Sequence, residues 1–177
     1  MRSAHSDNPK ALTKKKELVV YQALQEAGIQ LDYQLHIPFK SCGLGSETAH
    51  AYPDFVITMH WGSLILECDE TQHTHYPSSC DVRRDFDIAA SIALGSGQKL
   101  VILRYNPDAF RVAGKTRTTS QKDRLAKLLQ IITAMEEPEG LFTRLFLFYD
   151  RDTEDAPLPT IAKEWDPQAR TVSRNVF

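Results

Sequence analysis

The stretch YPDFVITMHWGSLILECDETQH, residues 52–73, holds two apolar runs with acidic residues at their outer ends. The runs FVITMH and SLILEC are each long enough for one strand, and Trp61 and Gly62 separate them. Two short apolar runs joined by a glycine-containing pair are typical of an antiparallel hairpin. The sequence therefore predicts a hairpin with its turn at these two residues, and the rest of the fold is arranged around it.

Three carboxylates fall on one face of this predicted hairpin. Side chains alternate along a strand, so Glu67 and Asp69 point to the same side. With this turn, Asp54 stands opposite Asp69, at about 5 Å between Cβ atoms, and within diagonal reach of Glu67. Like charges this close repel, so the cluster needs a proton or a cation such as Mg²⁺. Two alternatives stay open: a one-residue slip would turn Asp54 to the other face, and Asp69 and Glu70 could be a solvated strand end.

The elements around the hairpin predict an α/β fold with a mixed sheet flanked by helices. In chain order we expect a helix ending at Gly28, a short strand in LDYQLHIP, the hairpin, a helix begun by Asp81, a buried strand in KLVILRY, a helix in DRLAKLLQIITAMEE and a strand in LFTRLFLFYD. The segment RVAGKTRTTSQK is predicted as a basic loop. A strand, a helix and a strand in succession predict a right-handed crossover into a parallel pair. The order is αβββαβ followed by a helix and a strand.

Composition bounds the domain organisation and the class of protein. With 177 residues, 42% of them hydrophobic, the chain can bury one sizeable core. We expect a single domain over residues 1–150, its first ten or so residues flexible, and an irregular tail over 151–177. The formal net charge of −2 excludes a global basic field, so nucleic acid would be bound by local patches. No apolar leader and no membrane-length stretch occur, which predicts an intracellular protein, cytoplasmic or nuclear, that is not secreted.

A fourth acidic residue lies on the first helix. Glu17 falls on the same side as Val20 and Leu24 at helical spacing, so its carboxylate lies beside the buried stripe and should have a partner. The alternative is a glutamate at the rim of the stripe that pairs with Lys14 or Lys16. In the first case the helix adds a fourth acid to those of the hairpin.

The chain combines this helix glutamate with PDF at 53–55 and LECDETQH at 66–73. The combination resembles the PD-(D/E)xK restriction-endonuclease-like superfamily, in particular its small branch related to very short patch repair endonucleases and certain homing endonucleases. That branch often reads as a helix glutamate, PDF and IE-x-D-x-x-QH. The likeness covers roughly residues 13–110 and implies a restriction-endonuclease-like core. The matching residues are Glu17, Asp54, Glu67, Asp69, Gln72 and His73.

The resemblance implies a metal-dependent endonuclease that hydrolyses DNA phosphodiester bonds. It would nick or cut both strands, as a monomer or as a homodimer. Asp54 and Glu67 would bind Mg²⁺ or Mn²⁺, and metal-bound water would be the nucleophile. Glu17 and the backbone carbonyl of Cys68 would assist in binding the metal.

The chain departs from the family pattern at Asp69, which replaces the lysine of E-x-K. A carboxylate cannot stabilise anionic charge as lysine would. We therefore expect His73 to take the proton-transfer role and Gln72 to orient water or phosphate. The alternative for His73 is a loop histidine that only hydrogen-bonds its neighbours.

Clusters of basic residues are the expected contacts to DNA, because phosphate contacts dominate affinity. Cations at the start of a helix oppose its macrodipole, and a backbone-contacting role would explain that cost. The alternative for each residue is a solvated face. The predicted DNA-binding residues are Lys14, Lys15 and Lys16 on the first helix, Arg83 and Arg84 on the second, and Lys115, Arg117 and Lys122 in the basic loop.

The three cysteines, an odd number, favour reduced thiols or a metal site over disulfides. Cys42, His75 and Cys80 could hold a structural zinc, as some members of the resembled branch do, and buried free thiols are the alternative. Cys68 is expected to point away from the acids, toward the core. Besides the endonuclease, two functions stay open: a catalytically inactive member of the same fold that binds nucleic acid or protein, and a zinc-stabilised interaction domain.

Overall fold

The computed structural model describes residues 15–39, 50–73, 78–153 and 160–161, with only the backbone described at 73, 78–80, 93–95 and 160–161. In chain order its elements are α1 Lys15–Glu26, β1 Asp32–Tyr33, β2 Ile37–Pro38, β3 His50–Ala51, β4 Phe55–Met59, β5 Gly62–Cys68, α2 Ser78–Ser96, β6 Lys99–Tyr105, β7 Phe110–Val112, β8 Lys115–Arg117, α3 Gln121–Thr133, β9 Phe142–Leu147 and β10 Thr160–Ile161, with a 3₁₀ turn at Glu70–His73.

The described residues form one six-stranded mixed sheet in the order β1-β4-β5-β6-β9-β10. Strands β4 and β5 pair antiparallel, whereas β5 with β6 and β6 with β9 pair parallel. Helix α2 connects the first parallel pair and α3 lies in the connection of the second. The predicted α/β class, the mixed sheet and the parallel pairing across α2 are therefore confirmed.

Helices cover both faces of this sheet. On one face Ile88 of α2 packs against Ile65 of β5 and Ile102 of β6. On the other face α1 and α3 pack on the alternate residues of the same strands, Leu64 and Leu103 among them. Both faces of β6 are buried in this way, which is why KLVILRY reads as a nearly continuous apolar run.

The hairpin at the centre of the sheet turns one residue earlier than the sequence predicts. Met59 pairs with Gly62, so His60 and Trp61 form the turn and Gly62 begins β5. A Cβ atom on Gly62 would lie 2.0 Å from the carbonyl oxygen of Lys99 on β6. The glycine is therefore needed for the close approach of a neighbouring strand, not for the turn. For this reason the prediction that Gly62 belongs to the turn is wrong.

This earlier turn shifts the register of the hairpin by two residues. Val56 pairs with Ile65, and the predicted pairing of Asp54 with Asp69 is wrong. Extending the ladder by one pair beyond Phe55 and Leu66 brings Asp54 opposite Glu67. Because the side-chain period of a strand is two residues, a shift of two leaves each side chain on its predicted face.

Several segments differ from the regular structure that the sequence predicts. The single strand expected in LDYQLHIP is two short strands, β1 in the large sheet and β2, which pairs with β3 in a separate ladder. The basic loop contains a small hairpin, β7 and β8, whose turn residues Ala113 and Gly114 both have positive φ, 49° and 75°. Such turns usually contain Asn-Gly or Asp-Gly, and Ala-Gly gave no comparable signal. In the segment predicted as an irregular tail, β10 pairs with β9. Among the described residues, no helix is both long and apolar enough to cross a membrane.

Candidate active site

The predicted acidic residues meet at one edge of the sheet. Glu67 lies near the carboxyl end of β5, and Arg104 stands beside it in register on the parallel strand β6. Asp54 comes directly before β4, which runs antiparallel to β5 and therefore begins at the same edge. In open α/β sheets, the carboxyl ends of parallel strands are the usual place for ligands.

Asp54 and Glu67 are both buried at this edge, with 6% and 3% of their surface exposed. One carboxylate oxygen of Asp54, Oδ2, accepts a hydrogen bond of 2.9 Å from the backbone N–H of Cys68, the residue after Glu67. This bond orients the Asp54 carboxylate toward the end of β5. The hairpin therefore brings together two of the three carboxylates that the sequence placed on one face.

Glu67 contacts a cation from helix α2. Nη1 of Arg84 donates to Oε1 of Glu67 at 2.8 Å, and Nη2 donates to the carbonyl oxygen of Tyr52 at 3.0 Å. The Arg84 side chain is 32% exposed, so it closes the outer side of the acid pair while remaining open to solvent. The sequence predicts Arg84 as a DNA contact; the structure shows that its guanidinium also pairs with Glu67, and the DNA contact stays a prediction.

Electrostatics at Glu67 favour the neutral carboxyl. Burial raises the pKa of Glu67 from its ordinary value of 4.5 to about 8. Arg84 opposes this shift, and the neighbouring charges of Asp54 and Asp69 add to it. A buried carboxyl pair of this kind is stabilised by a proton or by a bound cation.

Asp69 has a different environment from the one predicted. Nη2 of Arg104 donates to Oδ1 of Asp69 at 3.0 Å, and Nε donates to Oδ2. The hydroxyl of Tyr149 donates to the same Oδ2. Burial, and next the charge of Asp69, raise the pKa of Tyr149 well above its ordinary value, so it stays a donor. Asp69 is thus held in a buried ion pair, which explains how a carboxylate is tolerated there.

The buried ion pair extends into a network that sequence reasoning missed. Nη1 of Arg104 contacts both carboxylate oxygens of Asp85 at 3.2 Å, and Arg144 of β9 donates to Asp85 from Nε at 2.9 Å. Burial lowers the pKa of Arg104, but Asp69 and Asp85 outweigh it and the net shift is upward. Asp81 lies 3.5 Å from the same guanidinium.

Two sequence signals could have identified this network. Arg104 is a lone charge within the apolar run KLVILRY, where a charged residue needs a buried partner. Asp85 lies three residues after Val82 and four before Ala89, which places it on the buried stripe of α2.

Glu17 is buried beside the core, as predicted, with 1% of its surface exposed. Its Oε1 accepts a hydrogen bond of 2.7 Å from the hydroxyl of Tyr33. The sequence offered Lys14 or Lys16 as partners of Glu17, and Lys16 forms an ion pair with Asp108 instead.

Burial raises the pKa of the Cys68 thiol, and the charges of Asp54 and Glu17 add to the shift. Cys68 is therefore a buried free thiol on the core side, as expected.

The turn after β5 is held in an uncommon backbone conformation. Thr71 and Gln72 have positive φ values of 53° and 55°, which non-glycine residues rarely adopt. The backbone N–H of Thr71 donates to Asp108 at 2.8 Å, and the Gln72 amide exchanges two hydrogen bonds with Asp150. These hydrogen bonds with Asp108 and Asp150 therefore fix the geometry of the turn. The His73 side chain lies outside the described residues, and its proton-transfer role stays a prediction.

The basic residues predicted to bind DNA differ in their exposure to solvent. Lys16 is paired with Asp108, and Arg83 is 78% exposed with a weak contact to Asp87 at 3.9 Å. Lys16 shares a small cavity with Tyr105 at the end of β6 and with Gln121, the first residue of α3, so α1 and α3 start at the edge that carries the acids. The further exposed basic residues are Lys15, Lys115, Arg117 and Lys122, and Lys14 lies outside the described residues.

The two buried carboxylates of the site are oxygen donors, the type of ligand that Mg²⁺ takes. Within the described ranges, no three His, Cys, Asp or Glu side chains come together as a metal cage. Mg²⁺ is usually held by one or two carboxylates together with water and substrate phosphates, and Asp54 with Glu67 supplies such a pair. The zinc prediction cannot be followed, because Cys42 and His75 lie outside the described residues and only the backbone of Cys80 is described.

Comparisons with protein-family models, with curated proteins and with solved structures gave no match to this chain. The family resemblance therefore stays a prediction from the sequence.

Proposed function

We propose that this protein is a divalent-metal-dependent endonuclease with a restriction-endonuclease-like core that hydrolyses DNA phosphodiester bonds. One observation carries the proposal: Asp54 and Glu67 lie buried together at the edge where β5 and β6 end, beside the guanidinium of Arg84. An acid pair with an adjacent, partly exposed cation suits the hydrolysis of an anionic ester.

Each residue of the site has a role in this proposal. Asp54 and Glu67 would hold Mg²⁺ or Mn²⁺, and the N–H of Cys68 fixes the orientation of the Asp54 carboxylate. Glu17 and the Cys68 carbonyl are accessory ligands implied by the resemblance. Such an ion supplies an activated water and charge stabilisation on the phosphate.

Arg84 takes the place of the missing lysine in this proposal. The lysine of E-x-K would stabilise the charge that develops on the phosphate, and Asp69 cannot do this. Arg84 holds its guanidinium 2.8 Å from Glu67 and is 32% exposed, so an incoming phosphate can contact it without rearrangement of the core. Preorganised cations of this kind act where charge develops. His73 remains the proposed proton-transfer group.

The exposed basic residues would bind the DNA backbone. Because the formal net charge is −2, attraction must come from local exposed cations, which include Lys15, Lys115 and Lys122. Binding of this type weakens steeply with salt, since each phosphate contact releases counterions.

A second candidate function is a catalytically inactive member of the same fold that binds nucleic acid or protein. The observation that favours it is that Asp69, at the position of the lysine, forms a buried ion pair with Arg104 that neutralises its charge. A zinc-stabilised interaction domain is a third candidate. A chelator would unfold such a domain, and Mg²⁺ would not change its stability.

The test is cleavage of a supercoiled plasmid with Mg²⁺ and with Mn²⁺ by the full chain, Asp54→Asn and Glu67→Gln. Glu137→Gln is the matched control, because Glu137 is an exposed glutamate that pairs with Lys99 at the other end of β6. We expect relaxed or linear product from the wild type and the control, and none from the two site variants. The ratio of relaxed to linear product distinguishes nicking from double-strand cutting.

Two further variants test the role of Arg84. Arg84→Ala should lower the cleavage rate by about 10²–10³-fold, as expected for the loss of one electrostatic contact in a transition state. Arg84→Lys keeps the charge and should retain more activity. A folded wild type that binds DNA but gives no product with either metal, from the plasmid or from single-stranded DNA, would contradict the endonuclease and favour the inactive member.

A further inference from the structure

Three aromatic rings form an exposed cluster on the short β2–β3 ladder. The ring centroids of His36 and His50 are 5.0 Å apart, and each lies 5.2 Å from the ring of Tyr52. The imidazoles are exposed, and Tyr52 has 51% of its surface exposed. Beneath the rings, Ile37 and Ala51 are buried in the core. The ladder therefore fixes the position of the rings at the protein surface.

The cluster lies at the margin of the candidate active site. The carbonyl oxygen of Tyr52 accepts from Arg84, whose other nitrogen contacts Glu67. Tyr52 is also only two residues before Asp54 in the chain. On the other side, the N–H of Gln34 donates to the carbonyl oxygen of Asp54 at 3.0 Å. The backbone of Tyr52 is therefore linked to Glu67 through Arg84, and the segment that precedes His36 is bonded to the backbone of Asp54.

Folding alone does not account for these rings. A tyrosine that stabilises a core buries most of its ring, whereas Tyr52 leaves half of its surface in water. Exposed aromatic surface grouped beside polar residues marks binding sites more often than singly scattered apolar residues do. Aromatic faces bind nucleobases by stacking, and the contact tolerates any base because every base has a π-face.

We propose that the His36–His50–Tyr52 cluster stacks an unpaired nucleobase of the DNA strand whose phosphodiester lies at Asp54 and Glu67. This inference rests on the proposed endonuclease function and gives it a substrate class: single-stranded DNA, or duplex with an unpaired base next to the scissile bond. A base within a fully paired duplex already stacks on its neighbours and offers no free face to the rings.

The test is binding of fluorescent oligonucleotides to the full chain in EDTA, which prevents cleavage. One oligonucleotide is single-stranded and carries 2-aminopurine, whose fluorescence falls on stacking, and the other is the paired duplex of the same sequence. The variants are Tyr52→Ala and Tyr52→Phe, the second of which keeps the ring. Leu141→Ala is the control, since Leu141 is 49% exposed and precedes β9 at the opposite edge of the sheet.

We expect Tyr52→Ala to weaken single-strand binding by about 5- to 150-fold, the range for loss of one base stack. Tyr52→Phe and Leu141→Ala should bind as the wild type does, and duplex binding should change little. Equal affinity of Tyr52→Ala and wild type for the single strand, or equal losses in Tyr52→Ala and Tyr52→Phe, would overturn the proposal.

The two proposals fail separately. Metal-dependent cleavage with no dependence of binding on Tyr52 would overturn the stacking cluster and leave the endonuclease intact. Ring-dependent binding of single strands without cleavage in Mg²⁺ or Mn²⁺ would support the cluster and contradict the endonuclease.

Discussion

Replacing Glu67 by glutamine should remove a pH dependence of stability in the metal-free protein. Folding raises the pKa of this carboxyl from 4.5 to about 8, a difference of about 3.5 units (8 − 4.5), and each unit corresponds to about 1.4 kcal/mol. Between these values the folded chain holds a proton that the unfolded chain has lost. The free energy of unfolding therefore falls as pH rises, by about 1.4 kcal/mol per unit and by about 5 kcal/mol in all.

The measurement is urea unfolding of the wild type and Glu67→Gln in EDTA at pH 5, 6, 7 and 8. Groups distant from Glu67 contribute alike to both chains, so the difference between the two curves reports this carboxyl together with the charges next to it. We expect the variant to gain about 1.4 kcal/mol on the wild type with each unit of pH over this window. A difference that stays constant from pH 5 to 8 would refute the electrostatic account of the site. Saturating Mg²⁺ should flatten the wild-type curve, because a bound cation replaces the proton.

Two other predictions concern the elements that support the site. Arg104→Met should destabilise the protein by about 3–5 kcal/mol in urea unfolding, because it leaves the carboxylate of Asp69 buried without its cation; a loss under 1 kcal/mol would contradict the buried ion pair. Gly62→Ala should cost about 3 kcal/mol or more, since its Cβ would lie 2.0 Å from the Lys99 oxygen, and an unchanged melting temperature would mean that β5 and β6 are farther apart there.

Much of the fold followed from the spacing of apolar residues. The run KLVILRY predicted a strand covered on both faces, and β6 is buried on both faces. Gly28 was predicted to end the first helix, and α1 ends at Glu26 with Gly28 in the left-handed region at φ 73°. These signals are local, and local spacing is sufficient to read them.

The exact pairing of strands was less predictable, because it depends on contacts distant in sequence. Gly62 looked like a turn residue, whereas the constraint on it comes from Lys99, a strand further on. This error did not affect the predicted grouping of the acids, since the shift of two residues kept Asp54 and Glu67 on one face. A shift of one residue would have separated them.

The partners of the site residues were the hardest to predict. Arg84 was grouped with the exposed cations, because nothing in its local sequence distinguishes it from Arg83. Its contact with Glu67 arises only when α2 packs against β5. Tyr149, which donates to Asp69 from beyond β9, is 80 residues away in the chain and gave no signal at all.

The charges that surround Asp69 also constrain how this sequence can change. Arg104 joins Asp69 to Asp85, and Arg144 neutralises Asp85 from the next strand. Loss of any one member leaves an uncompensated charge in the interior, whereas apolar replacement of the whole set is often tolerated. Single mutational steps through these positions are therefore disfavoured, and divergence there requires several simultaneous exchanges. The slowest-evolving residues of this chain should include some that never contact a substrate.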